Sequence, residues 1–289
     1  LNAPTFDLQS HSVCSDGELT PSETVRAAHA AGVQTLALTD HDTVEGVPEA
    51  QRTAQELGIR LVPAVEISVL DPAAQDLHVC GYGVDPSDGP LAASLLQSRH
   101  DREHRSEEMA ATLRRLGWQV DDELLKRRRA EGKAIGRPHL AQAVVGLEDN
   151  TERLAAEGLG TATDFLVAYL IEGKPAFTQR QAPSAAEAIS LIHAAGGVAI
   201  WAHPFWDVAE AEAVARTADR FRSVGIDGLE VFYVTHTREQ VQLLHAYCAG
   251  HHLLMTGSSD FHGPHHSRFN AFRSFSTYGL EPYLGPIGD

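Results

Sequence analysis

Four times along the chain a short apolar run gives way to a polar motif rich in His and Asp. Residues 5–8 lead into Gln9-Ser10-His11, with Asp16 close behind, and residues 33–38 into Thr39-Asp40-His41-Asp42. Residues 197–201 lead into Ala202-His203-Pro204, and 253–255 into Ser259-Asp260-Phe261-His262. Nearly continuous apolar runs of this kind predict strands buried on both faces of a parallel sheet. In the first third, strands are expected at 5–9, 33–39, 59–65 and 77–82. Thr20-Pro21-Ser22-Glu23 is a capping box with proline at the first helical position, so a helix should open there and end near Gly32. A second helix, 47–57, should stop at Gly58. Repeated strand–helix units predict a parallel sheet with helices outside.

The pattern then changes. From 90 to 173 only helical spacing is found, in segments 91–116, 121–130, 138–145, 149–157 and 162–171. The block predicts a helical insertion, 90–173, in a barrel made of 1–89 and 174–289. Alternation resumes with a second capping box, Ser184-Ala185-Ala186-Glu187, whose helix ends at Gly196-Gly197. Strands at 198–201, 228–233 and 253–256 alternate with helices at 208–224 and 238–249, which makes seven strands in all. The tail from Pro264 reads as irregular.

Composition narrows the class. A chain of 289 residues, 43% hydrophobic and 21% charged, is an ordinary globular composition and long enough for one large α/β barrel or two ordinary domains. No apolar run approaches the roughly 20 residues of a membrane span. Residues 1–7 carry neither a basic region nor a long apolar stretch, so no signal peptide and a cytoplasmic location are expected. Three cysteines in no paired spacing fit a reducing compartment. The net charge of −16 argues against duplex nucleic acid as a partner. It remains compatible with an anionic substrate, because bound divalent cations invert the local sign. Nothing points to an obligate protein partner.

His and Asp at the C-terminal ends of several strands are how a β/α barrel builds a metal site. Alternate side chains of a strand share a face, so Gln9 with His11, Thr39 with His41, and Asp260 with His262 point together. Glu66 follows the third strand and His78 lies in the fourth. Singly, His78 reads as a core histidine, Glu66 as a loop-edge carboxylate and Asp40 as a turn cap. Jointly, at strand ends, they read as imidazole and carboxylate ligands suited to Zn²⁺, Mn²⁺ or Fe²⁺.

Six motifs carry a resemblance to a known family. They are Asp7-Leu8-Gln9-Ser10-His11-Ser12, Ser15-Asp16-Gly17, Leu38-Thr39-Asp40-His41-Asp42-Thr43, Val65-Glu66-Ile67-Ser68, Ala202-His203-Pro204 and Gly257-Ser258-Ser259-Asp260-Phe261-His262-Gly263. In these the chain resembles the PHP (polymerase and histidinol phosphatase) family of metal-dependent phosphoesterases. Within that family it is nearest the branch of nucleoside 3′,5′-bisphosphate phosphatases and 5′-to-3′ exonucleases. The resemblance implies a distorted (β/α)7 barrel with a helical insertion over its mouth. It also implies up to three divalent ions, Mn²⁺ first, with Zn²⁺ or Fe²⁺ as alternatives. One ion would take position 9, His11, Glu66 and Asp260; a second Asp16, His41 and His262; a third Glu66, His78 and His203. Metal-activated hydroxide would then attack phosphorus in line with the leaving group. The family carries a histidine where this chain has Gln9, a weaker neutral ligand.

Arg137 and His139 in Gly136-Arg137-Pro138-His139 match the family's Arg-x-His and are expected to bind substrate phosphate, with Lys174 and Arg180 as further candidates. His236, after the sixth strand, is a candidate general acid beside Asp260 and Glu66. Lys126-Arg127-Arg128-Arg129 reads as a solvated helix face. The expected activity is removal of phosphate from a small nucleotide, the 3′-phosphate of a 3′,5′-bisphosphate, or trimming of short 5′-phosphorylated oligonucleotides. The alternatives are a phosphatase of a sugar or amino-alcohol phosphate, and a nucleotide-binding pseudoenzyme impaired by Gln9.

Overall fold

Both capping boxes form. Thr20 Oγ accepts from the Glu23 amide while the Glu23 carboxylate accepts from the Thr20 amide, opening helix α1 (Pro21–Ala30). Ser184 and Glu187 do the same for α8 (Ala185–Ala194). Helix α2 (Val47–Leu57) stops where Gly58 turns left-handed at φ 69°, a conformation glycine adopts without a Cβ clash. The structure, a computed structural model, describes residues 4–71, 74–130 and 135–288; residues 1–3, part of the stretch read for a leader segment, lie outside them.

Seven strands form one sheet in chain order: β1 (Phe6–Asp7), β2 (Thr35–Leu38), β3 (Arg60–Asp71), β4 (Ala74–Tyr82), β5 (Val198–Trp201), β6 (Gly228–Tyr233) and β7 (Leu254–Ser258). The Leu8 amide donates to Gly257 O at 3.2 Å and the His11 amide to Phe261 O at 2.8 Å. These bonds bring the first strand round to the last, so the sheet curls to a nearly closed barrel.

The all-parallel expectation needs correction at one strand. β4 runs antiparallel to both β3 and β5, whereas the other pairs are parallel. β3 continues past 65 to Asp71, and β4 already begins at Ala74. A parallel return needs a crossover of a dozen or more residues, and this connection is far too short for one. Glu66 therefore lies within β3, not after it. A smaller correction concerns 208–224: a short helix, α9 (Pro204–Asp207), ends at extended Val208, and α10 (Ala211–Ser223) starts afresh. Helix α11 (Arg238–His251) follows β6 as expected.

The chain divides into two compact units, Leu1–Leu96 with Ala182–Asp289, and Gln97–Gln181. In the first, β-branched and aromatic side chains of the barrel pack under α8, α10 and α11; Trp201 is fully buried with its ring 5.3 Å from Phe221. The second draws on α3 (Gly89–Arg115), α4 (Asp122–Ala130), α5 (Arg137–Val145), α6 (Thr151–Ala156) and α7 (Ala162–Tyr169). Its core is centred on Trp118, edge-on to Phe165 at 5.0 Å, with the Arg153 guanidinium 3.9 Å above the indole. Among the described residues no helix is long and apolar enough to cross a membrane, and Cys14, Cys80 and Cys248 are unbridged.

Candidate metal centre

The β3–β4 register decides the heart of the site. Glu66 pairs with Cys80, and Ser68 pairs with His78. Directly opposed residues of an antiparallel pair share a face, and so do residues two apart on one strand. Glu66 and His78 are thus diagonal neighbours on one face, and His78 Nδ1 lies 2.9 Å from Glu66 Oε1. The same oxygen is 3.0 Å from His203 Nε2. The other, Oε2, is 3.2 Å from His11 Nε2 and 3.4 Å from His41 Nδ1. One fully buried carboxylate therefore faces four imidazoles contributed by four separate segments of the barrel.

A second group lies beside it. His11 Nε2 is 3.1 Å from Asp260 Oδ1. Asp16 lies 3.5 Å from His11 Nδ1 and 3.6 Å from both His41 Nε2 and His262 Nε2. The rings crowd, with His11 stacked on His262 at 4.2 Å. His203 and Asp260 both turn the backbone left-handed, at φ 32° and 53°. Such conformations cost non-glycine residues roughly 1–2 kcal/mol and concentrate at functional sites. Gly17 sets the Asp16 loop: a Cβ there would lie 2.4 Å from the His11 carbonyl oxygen, closer than any side chain allows.

Charge is already set for cations. Burial opposes ionisation of Glu66, but the His41 and His78 imidazoles, with His11 close by and His203 hydrogen-bonded to it, hold it well below the usual carboxylate range. Burial is likewise outweighed at Asp260, which His262 and His11 pull down to about 2. Burial disfavours charge on His11, yet Asp260, Glu66 and Asp16 raise its pKa well above the ordinary imidazole value. A proton on His11 helps balance the carboxylates, and a divalent ion can supply the same balance.

Whether the residues fit such ions is testable on their hydrogen bonding. Buried polar groups are nearly always paired. Here both amide atoms of Gln9, His11 Nε2, His41 Nδ1, Glu66 Oε2, His203 Nδ1 and Asp260 Oδ1 are buried with no hydrogen-bond partner. Two sets, His11 with Asp16, His41 and His262, and His41 with Glu66 and His78, offer donor atoms within 4.8 Å of one another. Neutral imidazole nitrogens and carboxylates in that proximity fit divalent metals.

Several supporting residues escaped sequence reasoning. Tyr233 donates its hydroxyl to Asp260 Oδ2 at 2.7 Å. Glu230 accepts from the His203 amide at 2.8 Å and from Ser258 Oγ at 2.5 Å, and burial pushes its pKa up to about 7. Both lie on β6, whose apolar run announces only a strand. Asp207 sits 3.5 Å from His203 Nδ1, one helical turn on. Asp40, read as a turn cap, accepts from the Ser12 amide and hydroxyl at 2.7 Å each and from Ser15 Oγ at 2.6 Å, tying the first motif to the second. His262 donates Nδ1–H to the Asp260 carbonyl at 2.7 Å, which fixes the ring with Nε2 toward Asp16.

His236 departs from the general-acid expectation. It is 4% exposed; Nδ1–H donates to Val231 O at 3.0 Å and Nε2 accepts from the Phe205 amide at 3.4 Å. Burial lowers its pKa to about 4, so at neutral pH it is an uncharged imidazole with both nitrogens engaged. The unfolded chain takes up the proton below about pH 6.5 and the folded chain does not, so stability falls as pH drops from there toward 4. His236→Asn is expected to lose roughly 3 kcal/mol less than the parent between pH 7 and 4 in denaturant titrations. Its turnover should stay within threefold of the parent; a loss beyond a hundredfold with intact folding would restore the acid role.

The substrate candidates lie in the helical unit. Arg137 opens α5, where His139 Nδ1 accepts from the Gly136 amide at 3.0 Å. Lys174 is exposed and Arg180 buried. Lys126 pairs with Glu123 at 2.9 Å and Arg129 with Glu107 at 3.1 Å, as a solvated face would.

A barrel bearing His, Asp and Glu around one buried carboxylate is that of a metal-dependent hydrolase. The chain belongs to the PHP domain family, whose model matches residues 7–159. It is 34% identical over 259 residues to a 5′-3′ exoribonuclease of Haemophilus influenzae, covering 90% of each chain. It is 33% identical over 259 residues to a 3′,5′-nucleoside bisphosphate phosphatase of Chromobacterium violaceum, covering 90% of this chain and 87% of that one. A solved Chromobacterium violaceum structure, an amidohydrolase with bound sulfate and no metal, superposes with a TM-score of 0.79 at 30% identity, covering 98% of this chain and 93% of that one.

Proposed function

We propose that this phosphoesterase removes the 3′-phosphate of nucleoside 3′,5′-bisphosphates or trims short 5′-phosphorylated oligonucleotides. The observation that carries the reading is the convergence of unpartnered buried donors on Glu66, in a chain one-third identical to relatives named for those two activities. Three ligand sets are assigned: Gln9, His11, Glu66 and Asp260; Asp16, His41 and His262; and Glu66, His78 and His203. Divalent ions bound there supply phosphate charge neutralisation and activation of water near neutral pH. Mn²⁺ is the ion of first choice on the family resemblance, with Zn²⁺ or Fe²⁺ as alternatives, and mixed imidazole and carboxylate donors accept all three.

The protein's own groups set up that chemistry. Glu66 and Asp260 stay ionised at neutral pH. Tyr233 orients Asp260 through its hydroxyl, and Glu230 anchors the His203 amide, so the ligand set is held before substrate arrives. With His236 engaged by backbone on both nitrogens, no protein acid is assigned to the leaving group. The phosphate-binding roles of Arg137, His139, Lys174 and Arg180 rest on the sequence motif. Since His139 Nδ1 is taken, Arg137 and Lys174 are the first to substitute.

Phosphate release from adenosine 3′,5′-bisphosphate, a 5′-phosphorylated trinucleotide, ribose 5-phosphate and ethanolamine phosphate, with added Mn²⁺, tests the reading. The nucleotides are expected to be preferred at least tenfold in kcat/KM. Equal or better turnover of the sugar or amino-alcohol phosphate overturns it, and nucleotide binding without turnover at any metal concentration supports a pseudoenzyme instead.

A further inference from the structure

The chain has three tryptophans, and two are spent on cores: Trp118 is 1% exposed and Trp201 0%. Trp206 is 45% exposed. Singly exposed apolar side chains are commonplace, but Trp206 is not isolated. It lies in α9, three residues after His203. Its ring is edge-on to Phe269 at 5.5 Å and to Tyr233 at 6.4 Å. Phe269 in turn lies 5.4 Å from the His262 ring, and Tyr233 lies 5.3 Å from the His203 ring while holding Asp260. One ring thus separates the exposed indole from the candidate ligand His262, and another separates it from His203. The guanidinium of exposed Arg268 stands 5.3 Å over the indole.

We propose that Trp206, with Arg268, is the nucleobase-stacking platform of this site, which rests on the nucleotide reading above. A base is a flat, weakly hydrated π-surface that stacks on an aromatic ring whatever its identity. A phosphate lies one sugar away from its base, and one ring separates Trp206 from the ligand cluster. The resident guanidinium does not block the site: an exposed cation–π contact is the weaker of the two interactions, so a base displaces Arg268 or is sandwiched beneath it. The platform explains a preference for nucleotides over base-free phosphates without base-specific hydrogen bonds.

The test uses Trp206 as its own reporter, since the other two indoles are buried. Adenosine 5′-monophosphate, with Mg²⁺ present, is expected to quench the exposed tryptophan emission saturably, and ribose 5-phosphate is not. In Trp206→Ala the saturable quenching disappears. The ratio of kcat/KM for adenosine 3′,5′-bisphosphate to that for ribose 5-phosphate should fall roughly 5- to 150-fold, the range of one base stack. Trp206→Tyr should restore most of that ratio, which a merely structural role would not require, and thermal melting reports whether each variant folds. Quenching by adenosine 5′-monophosphate with no nucleotide turnover sinks the substrate reading and upholds the platform. Nucleotide turnover with no quenching, and an unchanged ratio in folded Trp206→Ala, overturns the platform and leaves the substrate reading standing.

Discussion

Glu66→Gln is expected to lower turnover by a factor on the order of 10³ or more and to strip more than one metal equivalent from the protein. The reason is geometric. Its two oxygens face His78 and His203 on one side and His11 and His41 on the other. In the ligand sets proposed above Glu66 would be shared by two ions, so its loss would weaken both at once. Glutamine keeps the volume and one oxygen but loses the charge that balances the surrounding imidazoles. Removing one partner of a buried charge cluster costs about 3–5 kcal/mol, so the variant should also melt lower. Elemental analysis, phosphate release and thermal unfolding of the same preparation read all three effects. Full metal content with turnover within tenfold of the parent would refute the bridging role.

Gln9→His should work in the opposite direction. Gln9 is 1% exposed, and neither its amide oxygen nor its nitrogen has a hydrogen-bond partner. An orphaned buried carboxamide is costly unless something else satisfies it, and a cation shared with His11, Glu66 and Asp260 would do so through the oxygen. Imidazole is the stronger donor to Mn²⁺ and Zn²⁺, so the variant is expected to hold that ion at least tenfold more tightly, about 1.4 kcal/mol or more. After dialysis against a weak chelator the histidine variant should retain one more equivalent than the parent, and its metal preference should move toward Zn²⁺. Turnover at limiting metal should rise with it. Equal metal retention in the two proteins would show that position 9 does not bind the ion.

Much of the candidate site is legible because its His and Asp residues sit where strands end. His11, His41, His203 and His262 each follow an apolar run, and apolar runs are the strongest local signal a sequence carries. The capping boxes at Thr20 and Ser184 and the stop at Gly58 are equally local, involving atoms within four residues, and each forms as read. The motif marks Glu66 but puts it after its strand, because nothing local distinguishes a strand that ends at 65 from one that continues to Asp71 and folds back. His236 reads as a candidate acid in the sequence because it follows the sixth strand. One of its backbone partners, Val231, is five residues back on β6, but the other, Phe205, comes from a segment 31 residues away that its neighbours do not announce.

By itself, the sequence determined the order of strands and helices in the barrel and the His and Asp residues that follow its strands, with Gln9 two positions before His11. These depend on side-chain chemistry and on hydrogen bonds between near neighbours in the chain. Only the tertiary structure decided that β4 runs antiparallel, that Glu66 and His78 meet diagonally across it, that Tyr233 and Glu230 brace the ligands, and that Trp206 is left exposed among their rings. Those facts arise from pairing and burial between segments up to about 120 residues apart, and no local propensity specifies which buried group a remote strand will bring alongside.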